Sequence, residues 1–225
     1  MSQPFDGIET QTGADPRYAI IWLHGLGADG GDFAPIVPEL TRPHPDWPAL
    51  RFVFPHAPIR PVTINNGMRM RAWYDIKGFD IAQRQDEDGV RQSAAFVDGL
   101  IAREAERGIA AERVLLAGFS QGGAIALAAG IRHPQRLAGI MALSTYLPLA
   151  EKSAAEASPA NHALPIFMAH GVQDPVVPLA LGRGSADLLA GMDYVLDWKT
   201  YPMQHAVCAE EVADIGAWLG ARFAS

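Results

Sequence analysis

The sequence predicts an α/β protein with a mostly parallel central sheet flanked by helices. Three observations carry this. The apolar segments VLLAG, AGIMAL and PIFMAH are continuous, not alternating, so as strands each needs cover on both faces. Segments of helical periodicity recur between them and supply that cover. At 225 residues, without an internal repeat or a composition shift, the chain suits a single domain over 1–225 with a substantial core.

The elements follow in order. Tyr18–Leu23 (YAIIWL) is the first strand, succeeded by the glycine-rich HGLGADGG. A short helix is expected over 32–40, weakened by two prolines. Residues 51–54 form the next strand. Over 86–107, Val90, Ala94, Val97, Ile101 and Ala105 recur at helical spacing, and Gly108 is a natural stop. A strand at 114–118 runs into a helix at 121–132. Further strands are expected at 137–143, 166–170 and Val195–Tyr201, and helices at 179–189 and Ala209–Phe223. The connections 55–88 and 145–164 are long for a compact domain, and such segments tend to be functional or mobile.

Composition narrows the function. Apolar residues make up 49% and charged residues only 19%, which suits a folded interior and argues against disorder. A net charge of −7 makes nucleic acid an unfavourable partner. No apolar run is long enough to span a bilayer, so no stable membrane insertion is expected. The start MSQPFDGIET lacks the features of a secretory signal and the end ARFAS lacks a lipidation motif, so a cytoplasmic location is expected. The single cysteine, Cys208, leaves no intrachain disulfide and no multi-cysteine metal site.

The strand VLLAG leads directly into Gly118-Phe119-Ser120-Gln121-Gly122-Gly123 and a helix. This is G-x-S-x-G in the strand, sharp turn, helix context that lifts a serine hydroxyl above a sheet edge. Gly118 and Gly122 let strand and helix approach closely. The helix N-terminus aims its amides at an oxygen where negative charge develops. A serine so placed needs a base, and in this context the partners follow in the chain order serine, acid, histidine. Of the seven histidines, His133 ends the helix behind the serine, His162 lies in a polar loop, and His170 precedes the best acid. His205, after the last strand and before the last helix, is the expected base. Asp174, in GVQDPVVP beyond the strand PIFMAHG, is the expected acid. It would hold the imidazole tautomer and stabilise the imidazolium. An Asx turn capping its own loop is the bland alternative.

Gly25-Leu26-Gly27-Ala28-Asp29-Gly30 fits G-x-G-x-x-G, which suggests a dinucleotide site. That reading needs an acidic residue roughly 20 positions on, at the end of the next strand. The strand RFVF ends in Pro55-His56 and the acid is missing. The loop is better read as an oxyanion loop, with the backbone N–H of Leu26 beside that of Gln121 and with His24 bracing it. The connection 55–88 holds Ile64, Met68, Met70, Trp73, Ile76 and Phe79, too apolar for a plain solvated loop. It is either a satellite core or the wall of an acyl pocket.

The motifs HGLGADG, FPHAPIRPVTINNGMRMRAWYDI, GFSQGG, HGVQDPVVP and YPMQHAVCAEEVADIGAWL occur in order from about residue 20 to 222. Together they resemble the carboxylesterase/acyl-protein thioesterase family of small α/β-hydrolases. The resemblance implies an α/β-hydrolase fold without a large inserted cap, no cofactor, and a triad of Ser120, Asp174 and His205. It also implies oxyanion donors at Leu26 and Gln121, and an acyl channel lined by Ile76, Phe79, Tyr146, Leu147, Val176 and Leu181, beside Trp73. The chain departs from the family where Gln204-His205-Ala206 replaces the usual Gly-His-Ser, which gives a bulkier turn and bears on substrate fit. Arg69 and Arg71 are either surface residues or holders of a polar head group. Cys208 is read as a small packed residue.

The expected activity is hydrolysis of short- to medium-chain carboxylic esters through an acyl-enzyme, by a monomer or homodimer acting on a small acyl ester or thioester. The alternative is a long-chain acyl-protein thioesterase or lysophospholipase using the same triad. A non-catalytic ligand sensor on this scaffold is disfavoured because all three triad members are present.

Overall fold

The structure, a computed structural model, describes residues 5–78 and 85–223. In chain order the elements are β1 (Gly7–Gln11), β2 (Tyr18–Leu23), α1 (Ile36–Thr41), β3 (Leu50–Pro55), β4 (Ile59–Val62), β5 (Met68–Arg71) and α2 (Glu87–Glu106). They continue with β6 (Val114–Phe119), α3 (Gln121–Gly130), β7 (Gly139–Leu143), α4 (Ala150–Glu156), β8 (Pro165–Gly171), α5 (Leu179–Gly191), β9 (Val195–Tyr201) and α6 (Ala209–Phe223). Seven strands form one sheet in the order β1-β3-β2-β6-β7-β8-β9. All neighbours are parallel except β1, which runs antiparallel along β3. The expected α/β-hydrolase architecture is therefore present.

The continuous apolar runs are explained by burial on both faces. Ile21, Leu116, Ile140 and Ile166 pack toward α2, α3 and α5. Ile20, Trp22, Phe52, Leu115, Met141 and Phe167 pack toward α1 and α6. Helix α3 is buried along its whole length, which is why its sequence is apolar on every side. Among the described residues, no helix is long and apolar enough to cross a membrane.

Four features depart from the sequence reading. Strand β1 was not anticipated, because a half-buried five-residue edge strand leaves little pattern. The helix expected over 32–40 shrinks to Ile36–Thr41. Pro38 is its third residue, where a backbone N–H has no partner within the helix and a proline is tolerated. The connection 55–88 contains the hairpin β4–β5, closed by Asn66 (φ 54) and Gly67 (φ 75) in left-handed conformations. The connection 145–164 contains α4. Glu156 at its end takes Arg91 of α2 at 2.7 Å and Arg132 at 2.7 Å, and the two guanidiniums hold its carboxyl down to about 2.

Candidate active site

The C-terminal ends of parallel strands β6, β8 and β9 share one rim of the sheet. Ser120, Asp174 and His205 lie on the loops that leave these strands. Ser120 sits between β6 and α3 with φ 54 and ψ −120, a strained conformation for a residue with a Cβ. Three hydrogen bonds impose it. The Ser120 N–H donates to Leu143 O at 2.8 Å, and Ser120 O accepts from the Ala124 N–H at 3.1 Å and the Thr145 hydroxyl at 2.6 Å. The glycines of the motif are steric requirements. A Cβ at Gly118 would lie 2.3 Å from Gly122 C, and one at Gly122 would lie 2.2 Å from Leu23 O.

Asp174 uses its two oxygens differently. Oδ1 accepts the N–H groups of Val176 (2.8 Å) and Val177 (2.9 Å), so the Asx turn considered from sequence does form. Oδ2 pairs with His205 Nδ1 at 2.7 Å. The Asp174 carboxyl is buried, and the His205 side chain is 16% exposed, open enough to meet a substrate. The two loops are laced by their backbones. The Val172 N–H donates to Tyr201 O at 2.9 Å, and the Gln173 N–H to Met203 O at 3.1 Å. Gly171 permits this approach, since a Cβ there would lie 2.3 Å from Gln204 O. The His205 ring packs on Phe119, the residue before Ser120, with centroids 4.7 Å apart.

The glycine loop abuts the serine. A Cβ at Gly25 would touch Phe119 at 3.4 Å and Ser120 Cβ at 3.6 Å. His24 is buried beneath the loop. The Ala57 N–H donates to its Nε2 at 3.0 Å, so the proton sits on Nδ1 and bonds Gly25 O at 2.7 Å. Burial lowers the imidazole pKa, consistent with a fixed neutral brace. The Gly27 N–H donates to Arg71 O at 2.9 Å, tying the loop to β5. Each glycine of G-x-G-x-x-G thus has a packing or conformational reason of its own. Gly27 has φ +78, and Gly30 lies against the Phe54 backbone.

Gln121 does more than its backbone suggested. Its side-chain amide clamps the 73–74 segment, with Oε1 accepting the Trp73 N–H and Nε2 donating to Tyr74 O, both at 2.8 Å. The glutamine directly after the serine is the signal for this in the sequence, which by itself points only to its backbone N–H. Among the described residues, no group of three or more His, Cys, Asp or Glu side chains could hold a metal ion.

The family model for phospholipase/carboxylesterase matches residues 8–221. The chain belongs to this family. This member is 41% identical to acyl-protein thioesterase 1 of Gibberella zeae over 89% of its own length and 88% of that protein. It is 43% identical to acyl-protein thioesterase 1 of Neurospora crassa, over 90% and 86% respectively. The crystal structure of SOBER1 from Arabidopsis thaliana matches it with a TM-score of 0.85 at 30% identity, covering 92% of this chain and 99% of that one. The family member described here is therefore an ester or thioester hydrolase.

The residues expected to line an acyl channel are placed unevenly. Val176 is exposed, and Ile76 and Leu181 are half-buried. Tyr146 and Leu147 are buried, and the Tyr146 hydroxyl meets that of Tyr74 at 2.7 Å. Trp73 is fully buried, with its indole N–H on His24 O at 2.9 Å, so it backs the wall instead of facing solvent. Phe79 lies outside the described residues. Arg71 donates to Ala57 O at 2.9 Å and Arg69 to Ile59 O at 3.3 Å, so both brace the hairpin. Cys208 packs, half-buried, against the α1 and α6 side of the core.

Proposed function

We propose that this hydrolase cleaves acyl thioesters and esters through an acyl-enzyme on Ser120, and that its preferred substrates are long-chain acyl thioesters. The observation that carries the chemistry is the 2.7 Å pairing of His205 Nδ1 with Asp174 Oδ2 at the rim that holds a strained Ser120. His205 Nε2 takes the Ser120 proton as Oγ attacks the acyl carbonyl, and Asp174 stabilises the imidazolium that forms. The N–H groups of Leu26 and Gln121 receive the developing oxyanion. The imidazolium then protonates the departing thiol or alcohol. Water, deprotonated by the same histidine, releases the acid.

The sequence placed short- and medium-chain esters first. The acyl-protein thioesterase names of relatives at 41% and 43% identity favour the thioester alternative instead. The test is a panel of esters and thioesters graded from acetyl to palmitoyl. Rates that hold or rise toward palmitoyl thioesters are expected, and Ser120→Ala should abolish them all. A steep loss on longer chains returns the assignment to a short-chain esterase, and full activity in the alanine variant removes the nucleophile.

A further inference from the structure

Beside the acid lies a second histidine that the triad does not use. His170, in β8, is completely buried. Its Nε2 lies 2.9 Å from Val177 O and 3.5 Å from Asp174 Oδ2, the oxygen that also pairs with His205. A carbonyl oxygen only accepts, so the ring proton is on Nε2. Among the described residues, Nδ1 has no hydrogen-bond partner. It faces α5 at Gly182, where a Cβ would come within 2.5 Å of it. The ring is also stacked on Trp198 of β9, with centroids 6.1 Å apart. Arg183 of α5 lies over that same indole, 5.9 Å from its centroid. Among the described residues, Asp174 is the carboxylate within ion-pair reach of His170.

These contacts make Val177 a double anchor. Its N–H holds Asp174 Oδ1 and its carbonyl is held by His170. The ring therefore sets where the acid loop turns, and its N–H dipole lies next to the oxygen that addresses the catalytic base. We propose that His170 is a positioning residue for the acid of the triad, pinning the carbonyl of Val177 whose N–H holds Asp174 Oδ1, and that Gly182 is glycine to give the ring its seat. This rests on the triad reading above.

The experiment compares wild type, Ser120→Ala, His170→Leu, His170→Gln and Gly182→Ala on one aryl ester, with kcat, KM and Tm. In His170→Leu, kcat falls ~10²-fold, the cost of a small misplacement of reacting groups. KM changes little. His170→Gln, whose amide N–H reaches the Nε2 position, recovers most of kcat. Gly182→Ala would ordinarily favour a helix, yet it lowers kcat in the same sense by displacing the ring. A folded His170→Leu variant with unchanged kcat overturns the proposal. So does a glutamine variant no better than leucine. If His170→Leu does not fold, Gly182→Ala decides, and unchanged kcat there overturns it. A wild type without Ser120-dependent turnover removes the triad reading itself, which separates the two failures.

Discussion

Glu211 carries a carboxyl group into the protein interior in the first turn of α6. The residue has no exposed surface, and among the described residues neither oxygen has a hydrogen-bond partner of normal geometry. Burial pushes its pKa from 4.5 up to about 8. The neighbouring Cys208 amide offsets part of this and the charge of Asp214 adds to it. At neutral pH the folded protein therefore keeps a proton here that the unfolded chain has lost. Where the native state binds more protons than the unfolded state, stability falls as pH rises. The window runs from 4.5, where the unfolded glutamate ionises, to about 8, where the folded one does. The slope is about 1.4 kcal/mol per pH unit at most. Glu211→Gln imitates the protonated acid and removes this slope. Denaturant unfolding at both ends of the window should show the variant gaining stability relative to wild type at the alkaline end. An unchanged difference would mean that Glu211 is ionised in the native state throughout.

At the scale of elements, the active-site rim depends on how closely β2, β6 and α3 approach. A Cβ at Gly122 would meet Leu23 O at 2.2 Å, Leu23 C at 2.5 Å and His24 O at 2.6 Å, all backbone atoms that cannot swing aside. Gly122→Ala therefore has to push the start of α3 away from the end of β2. That moves the Gln121 and Leu26 amides apart, the two groups proposed to receive the oxyanion. Overpacking of this kind costs about 1–3 kcal/mol in stability. The activity loss should be larger, ~10²-fold in kcat for a displaced oxyanion donor. Thermal unfolding and kinetics on the same preparation separate the two effects, and equal small losses in both would show that the contact is only structural. This rim was also the part most legible in the sequence. G-x-S-x-G states its own geometry, because strand, tight turn and helix are contiguous. β2, β9 and α6 fell on their predicted bounds: β2 is an unbroken apolar run, and α6 carries its apolar residues at helical spacing. What stayed hidden was non-local. The Gln121 clamp on residues 73–74 joins positions 48 and 47 apart in the chain. The contact between His170 and Asp174 depends on a turn whose shape no periodicity reports. β1 escaped because it is held by pairing with β3 and by charge more than by apolar burial.

Across the whole molecule, that charge forms a cluster joining β1, β3 and α2. Glu104 of α2 is fully buried and takes Arg51 of β3 at 2.6 Å, Arg107 at 2.9 Å and Arg103 at 3.3 Å. Glu9 of β1 takes Arg103 at 2.5 Å and Arg107 at 2.7 Å. Phe5 adds its ring face beneath Arg103, 4.4 Å from the guanidinium carbon. Arg51 stands near the start of β3, so the cluster occupies the end of the sheet opposite the rim that carries Ser120, Asp174 and His205. Stability and catalysis should therefore separate here. Glu104→Gln leaves the buried Arg51 guanidinium without a counter-charge. Removing one partner of a buried pair costs about 3–5 kcal/mol because the other is left uncompensated. kcat at a temperature where the variant is folded should not change. A double variant, Arg51→Met with Glu104→Met, removes both buried charges and leaves Arg103 and Arg107 on Glu9. It should recover most of the loss, since apolar replacement of a buried pair is often neutral or favourable. Chemical denaturation of wild type, Glu104→Gln and the double variant reads the comparison directly. A double variant as unstable as Glu104→Gln would mean that the ions hold β1 and β3 to α2 by specific geometry that packing cannot replace.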